Sequence, residues 1–230
     1  MIPRNEEKCL LIIFDFDGVL ANSQCAYAFQ MQETIEHFTN KKIPEDVFKE
    51  RGGNTDQRKD FIEFLGIDHP QVIDQAIIHY VSLTEKYSYL RDLYPNVYST
   101  LEDLKKEHFV CIISRKTNER LLKWLHHFKI THLFDLQIGT LENSKSGAIH
   151  EMMSKLSIPP KRTLMVGDTE FDIQSAQEAG VSSVLALYGA EKPDKALALS
   201  PTYSINSIEE IFEVIKEHLK NQPNDLHKFK

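Results

Sequence analysis

Carboxylates follow two of the apolar segments that the sequence predicts as strands. Asp15 and Asp17 lie in DFDGVL directly after CLLIIF, and Asp168 and Asp172 lie in GDTEFD directly after TLMV. Because the carboxyl ends of parallel strands meet at one edge of a sheet, we expect these side chains to converge. Oxygen ligands of this kind suit Mg²⁺. Since converging carboxylates repel one another without a cation, the pattern predicts a metal site.

A hydroxyl and an ammonium group are expected at the same edge. Ser114 ends the predicted strand that begins at residue 109, and Lys145 lies in a loop that we expect after the third strand. Ser114 can donate a hydrogen bond, and Lys145 can neutralise phosphate oxygens as a point charge. With one carboxylate as nucleophile and a second as general acid and base, the set predicts phosphoryl transfer.

Each of these groups also has a simpler interpretation. Asp-Gly after a strand is a common turn signal, and Asp at the start of a helix is a common cap. Ser114 can be read as a strand-end hydroxyl, and Lys145 as a solvated loop lysine. These interpretations explain the residues one at a time, whereas phosphoryl-transfer chemistry explains why they occur together.

Short apolar segments alternate with helical patterns over most of the chain. Several segments are apolar at successive positions, which suits strands covered on both faces of a parallel sheet. Strands that alternate with helices predict βαβ units, and hence a doubly wound α/β sheet. The predicted strands are residues 9–14, 109–113, 133–138, 163–166 and 183–187, and the predicted helices are 97–106, 118–127, 147–156, 172–179 and 208–219.

The segment between residues 24 and 93 interrupts this alternation. It contains no convincing strand, but it shows helical patterns at residues 26–38, 56–65 and 71–89. Ligands of open α/β sheets bind at the carboxyl ends of the strands, so an insertion at that end is expected to cover the site. The sequence predicts an α/β core of residues 1–22 and 94–220, an all-helical cap domain of residues 23–93 and a frayed tail of residues 221–230.

The four motifs together resemble those of the haloacid dehalogenase superfamily of hydrolases, in its phosphoglycolate-phosphatase-like branch with a helical cap. DFDGVL from Asp15 matches the first family motif, DxDG(V/T)(L/V), and Ser114 matches the second. Lys145 matches the third, and GDTEFD from Gly167 matches the fourth, GDxxxD. The resemblance extends over about residues 9–190 and implies a Rossmann-like core. It also implies a Mg²⁺-dependent phosphatase.

The resemblance also implies a role for each motif residue. Asp15 is implied to be the nucleophile, and Asp17 the general acid and base, which binds the metal through its backbone carbonyl. Ser114 and Lys145 are implied to hold the phosphoryl oxygens. The implied metal ligands are Asp15, Asp17, Asp168 and Asp172.

Two departures from the family pattern bear on substrate identity. The residue after Ser114 is Arg115 where the family commonly has Asn, and Lys145 is followed by Ser rather than Pro. In the basic run of Arg115, Lys116, Arg120 and Lys123 we expect a solvated helix face, with Arg115 alone near the substrate. In the predicted cap, Arg51, Gly52 and Gly53 form either a substrate-specificity loop or an ordinary turn between helices.

Several functions are compatible with this set of residues. A phosphatase acting on a small phosphorylated metabolite, phosphoglycolate-like or a sugar phosphate, is the function we favour. A phosphosugar mutase uses the same groups and differs in whether the cap shields the phospho-aspartate from water. A non-catalytic binding protein would be expected to have lost the aspartates. In the dehalogenase branch the second Asp of the first motif is absent, whereas Asp17 is present here.

The composition sets outer bounds on the function. The chain has 230 residues, and 27 Lys and Arg against 34 Asp and Glu give it a formal net charge of −7. An acidic chain offers no general electrostatic surface for nucleic acid or an anionic membrane. Its scattered cysteines show no CxxC spacing and indicate a reducing compartment. The sequence predicts a cytoplasmic protein that binds a small-molecule phosphate ester rather than nucleic acid or a membrane, and it leaves the oligomeric state open.

Overall fold

The computed structural model of the chain describes residues 10–51, 57–140 and 144–221. The chain forms two compact units: the core unit, Met1–Leu20 with Tyr94–Lys230, and the helical unit, Ala21–Leu93. Within the described ranges, every helix is too short or too polar to cross a lipid bilayer.

The secondary structure alternates strands and helices after the helical unit. The strands are β1 (Leu11–Phe14), β2 (Ala21–Asn22), β3 (Asp92–Leu93), β4 (Phe109–Ser114), β5 (Leu136–Gly139), β6 (Thr163–Gly167), β7 (Ser182–Ala186) and β8 (Tyr203–Ile205). The helices are α1 (Gln24–Thr39), α2 (Glu45–Arg51), α3 (Gln57–Leu65), α4 (Pro70–Ser82), α5 (Val97–Glu107), α6 (Asn118–His127), α7 (Lys145–Leu156), α8 (Glu170–Glu178), α9 (Pro193–Leu197) and α10 (Ile211–Lys220). Single turns of 3₁₀ helix occupy Ser88–Leu90, Thr131–Leu133, Pro160–Arg162 and Ile208–Glu210.

The core unit is built on a parallel sheet with the strand order β5-β4-β1-β6-β7-β8. Strand β1 lies in the interior, where Phe14 is level with Ile112 of β4 and Val166 of β6. Every residue of β1, β4 and β6 is buried, which explains why nearly every position in these strands is apolar. The parallel α/β core predicted from the sequence is therefore confirmed.

Helix α7 is fixed to the sheet by apolar packing. Its residues Ile149 and Met152 share a buried cluster with Ile13 of β1 and Met165 of β6. Truncation of a buried Met such as Met152 to Ala typically costs about 2–5 kcal/mol. This packing sets the position of the helix start, where Lys145 is the first residue.

The helical unit has an apolar core of its own. Met31 of α1 and Phe61 of α3 are fully buried in this core, together with Tyr80 of α4. The side chain of Gln30 donates to the backbone carbonyl of Tyr80 at 2.9 Å and accepts from Arg91 at 2.7 Å. Strands β2 and β3 pair antiparallel and bring the two ends of the unit together.

Several short elements differ from the sequence prediction. The expectation of no strand between residues 24 and 93 was wrong, because β3 pairs with β2. The predicted helix 71–89 ends at Ser82, and the predicted strand 133–138 begins only at Leu136 because Thr131–Leu133 forms a 3₁₀ turn. The prediction also missed helices α2 and α9 and strands β2 and β8. The missed strands have two or three residues and the missed helices seven and five, too few to show a hydrophobic period.

Candidate active site

Asp15 is the first residue after the interior strand β1. Its backbone N–H donates to the carbonyl of Val166 at 2.9 Å, which continues the pairing of β1 with β6 beyond the end of β1. The residue is 4% exposed. The sheet therefore fixes the backbone from which the Asp15 carboxylate projects at the carboxyl edge.

Three of the predicted acidic residues converge at this edge. Asp15, Asp168 and Asp172 are buried, and one carboxylate oxygen from each lies within 4.8 Å of the others. Burial raises the pKa of Asp15 above its ordinary value. Burial also raises the pKa of Asp168 well above its ordinary value, and the negative charges of Asp172 and Asp15 add to that shift. The group is held by Thr169, whose hydroxyl donates to Asp172 Oδ2 at 2.7 Å in a capping box at the start of α8. Asp172 therefore belongs both to the helix cap and to the acidic cluster.

Lys145 brings a positive charge into the acidic cluster. Its Nζ lies 3.0 Å from Asp15 Oδ2 and 2.5 Å from Asp172 Oδ1. Burial by itself would lower the pKa of Lys145, but the two carboxylates raise it above its ordinary value, so the side chain remains an ammonium group. The predicted loop position was wrong. Lys145 is the first residue of α7, because the Ser144 side chain caps the helix by accepting from the N–H of Gly147 at 3.0 Å.

Ser114 is the last residue of β4 and is 1% exposed. Its backbone carbonyl accepts from Thr140 twice, from the N–H at 2.7 Å and from the hydroxyl at 3.2 Å. Its side-chain hydroxyl accepts from the N–H of Lys116 at 3.4 Å. These bonds fix the end of β4, which neighbours β1, beside the strand that carries Asp15.

Lys116 is a site residue that the sequence analysis missed. Its ammonium contacts the carboxylate of Asp17, and the two side chains are 12% and 23% exposed. Lys116 precedes α6 rather than lying on the helix, because Thr117 is the N-cap and accepts from the N–H of Arg120 at 3.3 Å. The interpretation of Lys116 as part of a solvated helix face was therefore wrong. The sequence did contain a signal for this position: Lys116 lies two residues after the strand-end Ser114 and directly before the capping Thr117, which places it at the edge of the sheet rather than on the helix.

Two glycines allow the motif loops to approach the cluster closely. Gly18 has a φ of +76°, and a Cβ on it would overlap the carboxylate of Asp168. A Cβ on Gly167 would overlap the side chain of Asp172. The glycine of DFDG is therefore required both by its left-handed backbone and by the space that Asp168 fills.

The remaining predicted residues lie at different places. The guanidinium carbon of Arg115 lies 5.8 Å from the ring centroid of Phe171, and both side chains are exposed. Arg51 is the last residue of α2. Its side chain, together with Gly52 and Gly53, lies outside the described residues, so their predicted role in specificity stays a prediction.

The donor set fits a divalent cation. At the cluster, the carboxylates of Asp15, Asp168 and Asp172 face one ammonium group, that of Lys145. Two negative charges remain, and one divalent ion would neutralise them. The donors are all oxygens, which is the chemistry that Mg²⁺ prefers.

Comparison with known proteins gives concordant matches. Residues 12–186 match the family model of haloacid dehalogenase-like hydrolases. The chain is 26% identical over 217 residues to a phosphoglycolate phosphatase from Aquifex aeolicus, covering 91% of this chain and 98% of that one. It is 24% identical over 218 residues to the pyrophosphatase PpaX from Halalkalibacterium halodurans, covering 89% and 95%. A crystal structure from Haemophilus somnus, described as a predicted phosphoglycolate phosphatase, has the same fold, with a TM-score of 0.80, 22% identity and coverage of 91% and 98%.

Proposed function

The chain belongs to the haloacid dehalogenase-like hydrolase family, and on that premise we propose that it is a Mg²⁺-dependent phosphatase. Its substrate would be a small phosphorylated metabolite, and its intermediate an aspartyl phosphate, a mixed carboxylic–phosphoric anhydride on Asp15. One observation carries this proposal: the Asp15 carboxylate lies 3.0 Å from the Lys145 ammonium, within a buried cluster that also contains Asp168 and Asp172. Phosphoglycolate phosphatase and pyrophosphatase relatives support the choice of a phosphate compound.

The reaction would proceed in two displacements. In the first, an oxygen of the Asp15 carboxylate attacks phosphorus, the bond from phosphorus to the leaving oxygen breaks, and the Asp17 carboxylic acid gives its proton to that oxygen. In the second, water attacks the phosphorus and gives a proton to the Asp17 carboxylate. The bond from phosphorus to Asp15 then breaks, which releases inorganic phosphate and restores both carboxyl groups.

The other residues of the site would position the phosphoryl group. The Ser114 hydroxyl and the Lys145 ammonium supply a hydrogen bond and a fixed positive charge for its oxygens. A bound divalent cation would add positive charge there, and Asp15, Asp168, Asp172 and the backbone carbonyl of Asp17 are the groups proposed to hold it. Because these groups are buried, their charges act in a medium of lower dielectric than water.

The helical unit, Ala21–Leu93, is the proposed cap, since it is inserted directly after the first motif. In this role it would exclude water and select the leaving group. Arg51, Gly52 and Gly53 stay candidates for that selection.

The test is phosphate release from a panel of small phosphate esters and pyrophosphate, with Mg²⁺ and with a chelator. We expect release from one or a few compounds, dependent on Mg²⁺, and its loss in Asp15→Asn, which lacks the nucleophile but keeps the side-chain size. Release by Asp15→Asn at a rate close to that of the wild type would overturn the assignment of Asp15. Isomerisation of a sugar phosphate without phosphate release would identify the protein as a mutase.

A further inference from the structure

The loop that follows β7, residues 187–190, packs against the first motif, and we call it the β7 loop. The hydroxyl of Tyr188 in this loop donates to the backbone carbonyl of Val19 at 2.8 Å. The backbone of the next residue, Gly189, lies so close that a Cβ on it would overlap the carbonyl oxygen of Gly18. Since Gly18 and Val19 directly follow Asp17, the β7 loop contacts the part of the first motif that the proposed mechanism uses.

The β7 loop is itself held by the rest of the core unit. The N–H of Leu187 donates to the carbonyl of Ile205 at 2.9 Å, which continues the pairing of β7 with β8 beyond the end of β7. The ring of Tyr188 lies edge-on to that of Tyr94, with the ring centroids 5.0 Å apart. The N–H of Tyr94 in turn donates to the carbonyl of Leu20 at 2.9 Å. The β7 loop is therefore a fixed support for the residues that follow Asp17.

Separate sets of contacts hold the side chain and the backbone of Asp17. Its carboxylate contacts the ammonium of Lys116. Its backbone lies in a turn, in which the N–H of Leu20 donates to the carbonyl of Phe16 at 2.9 Å. The peptide groups that complete this turn are the ones that the β7 loop contacts. The direction of the Asp17 backbone carbonyl therefore depends on the turn and on its support.

We propose that Tyr188 is a positioning residue for the metal site: its hydrogen bond to Val19 holds the turn so that the backbone carbonyl of Asp17 faces the cation. This inference rests on the proposed function, in which that carbonyl is a metal ligand. Mg²⁺ requires a nearly ideal octahedral arrangement of its ligands. A turn that also adopts other conformations binds the ion with an affinity reduced by the fraction of molecules in the competent one. The bond from Tyr188 raises that fraction.

The test measures Mg²⁺ binding to the substrate-free protein by calorimetric titration with MgCl₂. Tyr188→Phe keeps the ring against Tyr94 and lacks only the hydroxyl. Its Kd for Mg²⁺ is expected to rise about 3- to 10-fold, the equivalent of one ordinary hydrogen bond. Tyr203→Phe is the matched control, because the Tyr203 hydroxyl lies 3.3 Å from His218 Nδ1, within hydrogen-bond reach at the start of β8. This control is expected to leave the Kd unchanged.

Phosphate release gives a second readout, which a general loss of stability would not change. At limiting Mg²⁺ Tyr188→Phe is expected to be slower than the wild type, and saturating Mg²⁺ is expected to restore its rate. Gly180→Ala introduces backbone strain away from the motif loop and is expected to keep the Mg²⁺ dependence of the wild type. Gly189→Ala is expected to weaken Mg²⁺ binding more than Tyr188→Phe does. Because Gly189 lies outside the left-handed region, its effect comes from the contact with Gly18.

Failure of the positioning role and failure of the proposed function give different results. If the wild type binds Mg²⁺ and releases phosphate, but Tyr188→Phe binds Mg²⁺ as tightly as Tyr203→Phe does, the phosphatase stands and the positioning role is refuted. A slower rate that saturating Mg²⁺ does not restore, with an unchanged Kd, also refutes it. If Gly189→Ala does not fold, Tyr188→Phe alone decides. A wild type that binds no Mg²⁺ refutes the metal site of the proposed function, and the positioning role with it.

Discussion

The ammonium of Lys116 contacts the carboxylate of Asp17 in a largely buried ion pair. The Lys116 Nζ also lies 5.1 Å from the ring centroid of Phe16. Burial and the positive charge of Arg120 lower the pKa of Lys116 to about 7, and the negative charge of Asp15 opposes that shift. The proposed general acid and base is therefore held by a partner that the family motifs did not indicate.

Lys116→Met is expected to slow turnover because Asp17 loses the partner that orients it. A positioned acid and base contributes about 10²- to 10⁴-fold, and loss of its positioning is expected to remove about 10- to 100-fold of that. The loss is expected to be larger for an alkyl phosphate than for p-nitrophenyl phosphate, whose leaving group needs little protonation. The measurement is kcat on both esters.

Two further variants separate positioning from a general structural effect. Asp17→Asn combined with Lys116→Met is expected to be no slower than Asp17→Asn alone, since both changes act on one group. Lys123→Met, at an exposed position, serves as the control. Equal losses on both esters, or full additivity in the double variant, would show that Lys116 does not act through Asp17.

Asp168→Asn is expected to stabilise the metal-free protein and to abolish its stabilisation by Mg²⁺. Asp168 is buried beside Asp15 and Asp172, so removing its charge relieves repulsion, and we expect a gain of about 1–3 kcal/mol in unfolding free energy with chelator. The wild type is expected to gain about 2.7 kcal/mol at a Mg²⁺ concentration of about 100 Kd.

Denaturant unfolding with Mg²⁺ and with chelator tests this prediction. Asp103→Asn is the control, because Asp103 is an exposed carboxylate outside the cluster. A Mg²⁺ response in Asp168→Asn equal to that of the wild type would remove Asp168 from the metal site.

The sequence predicted the convergence at the sheet edge because strand topology alone brings Asp15, Ser114 and Asp168 together. The same argument missed Lys116: the predicted helix 118–127 already began after it, but the basic run was interpreted as one solvated helix face. Lys145 was predicted as a site residue, but its place as the first residue of a helix depends on the side-chain cap from Ser144. Tertiary packing determines whether a side chain near a helix start is buried and which groups it contacts. The pattern of residue types along the chain does not contain this information.

Gly18→Ala is expected to impair both stability and activity. Its φ of +76° is unfavourable for Ala, and the added methyl group would overlap the Asp168 carboxylate. Gly180→Ala provides a matched control, because Gly180 has a φ of +68° but nothing within 4 Å of an added Cβ. Backbone strain costs about 1–2 kcal/mol at both positions.

Thermal unfolding and phosphate release together separate the two contributions. Gly18→Ala is expected to lose about 1–3 kcal/mol beyond Gly180→Ala, by overpacking, and most of its activity. Similar losses of stability in the two variants, with activity intact in both, would show that the space beside Asp168 does not constrain the motif loop.

Glu33→Gln is expected to reduce the stability of the helical unit in a pH-dependent way. Burial alone would raise the pKa of Glu33, but contacts from Lys86 and from the Tyr87 hydroxyl, the latter at 2.5 Å, lower it below its ordinary value of 4.5. A lowered pKa stabilises the fold above about pH 4.5, and this stabilisation is lost as pH falls through the lowered value. Because these side chains are partly exposed, we expect only about 0.5–1 kcal/mol.

The measurement for Glu33 is the unfolding free energy of Glu33→Gln and of the wild type between about pH 7 and pH 3, the range that spans the ordinary Glu pKa. The difference is expected to be present at the neutral end and to shrink toward the acidic end, since both proteins then carry an uncharged side chain at residue 33. Glu36→Gln, at an exposed position one residue beyond Ile35 on the same helix, controls for the loss of one charge from α1. A difference that stays constant with pH would mean that Glu33 contributes through packing or helix propensity and not through its contacts with Lys86 and Tyr87.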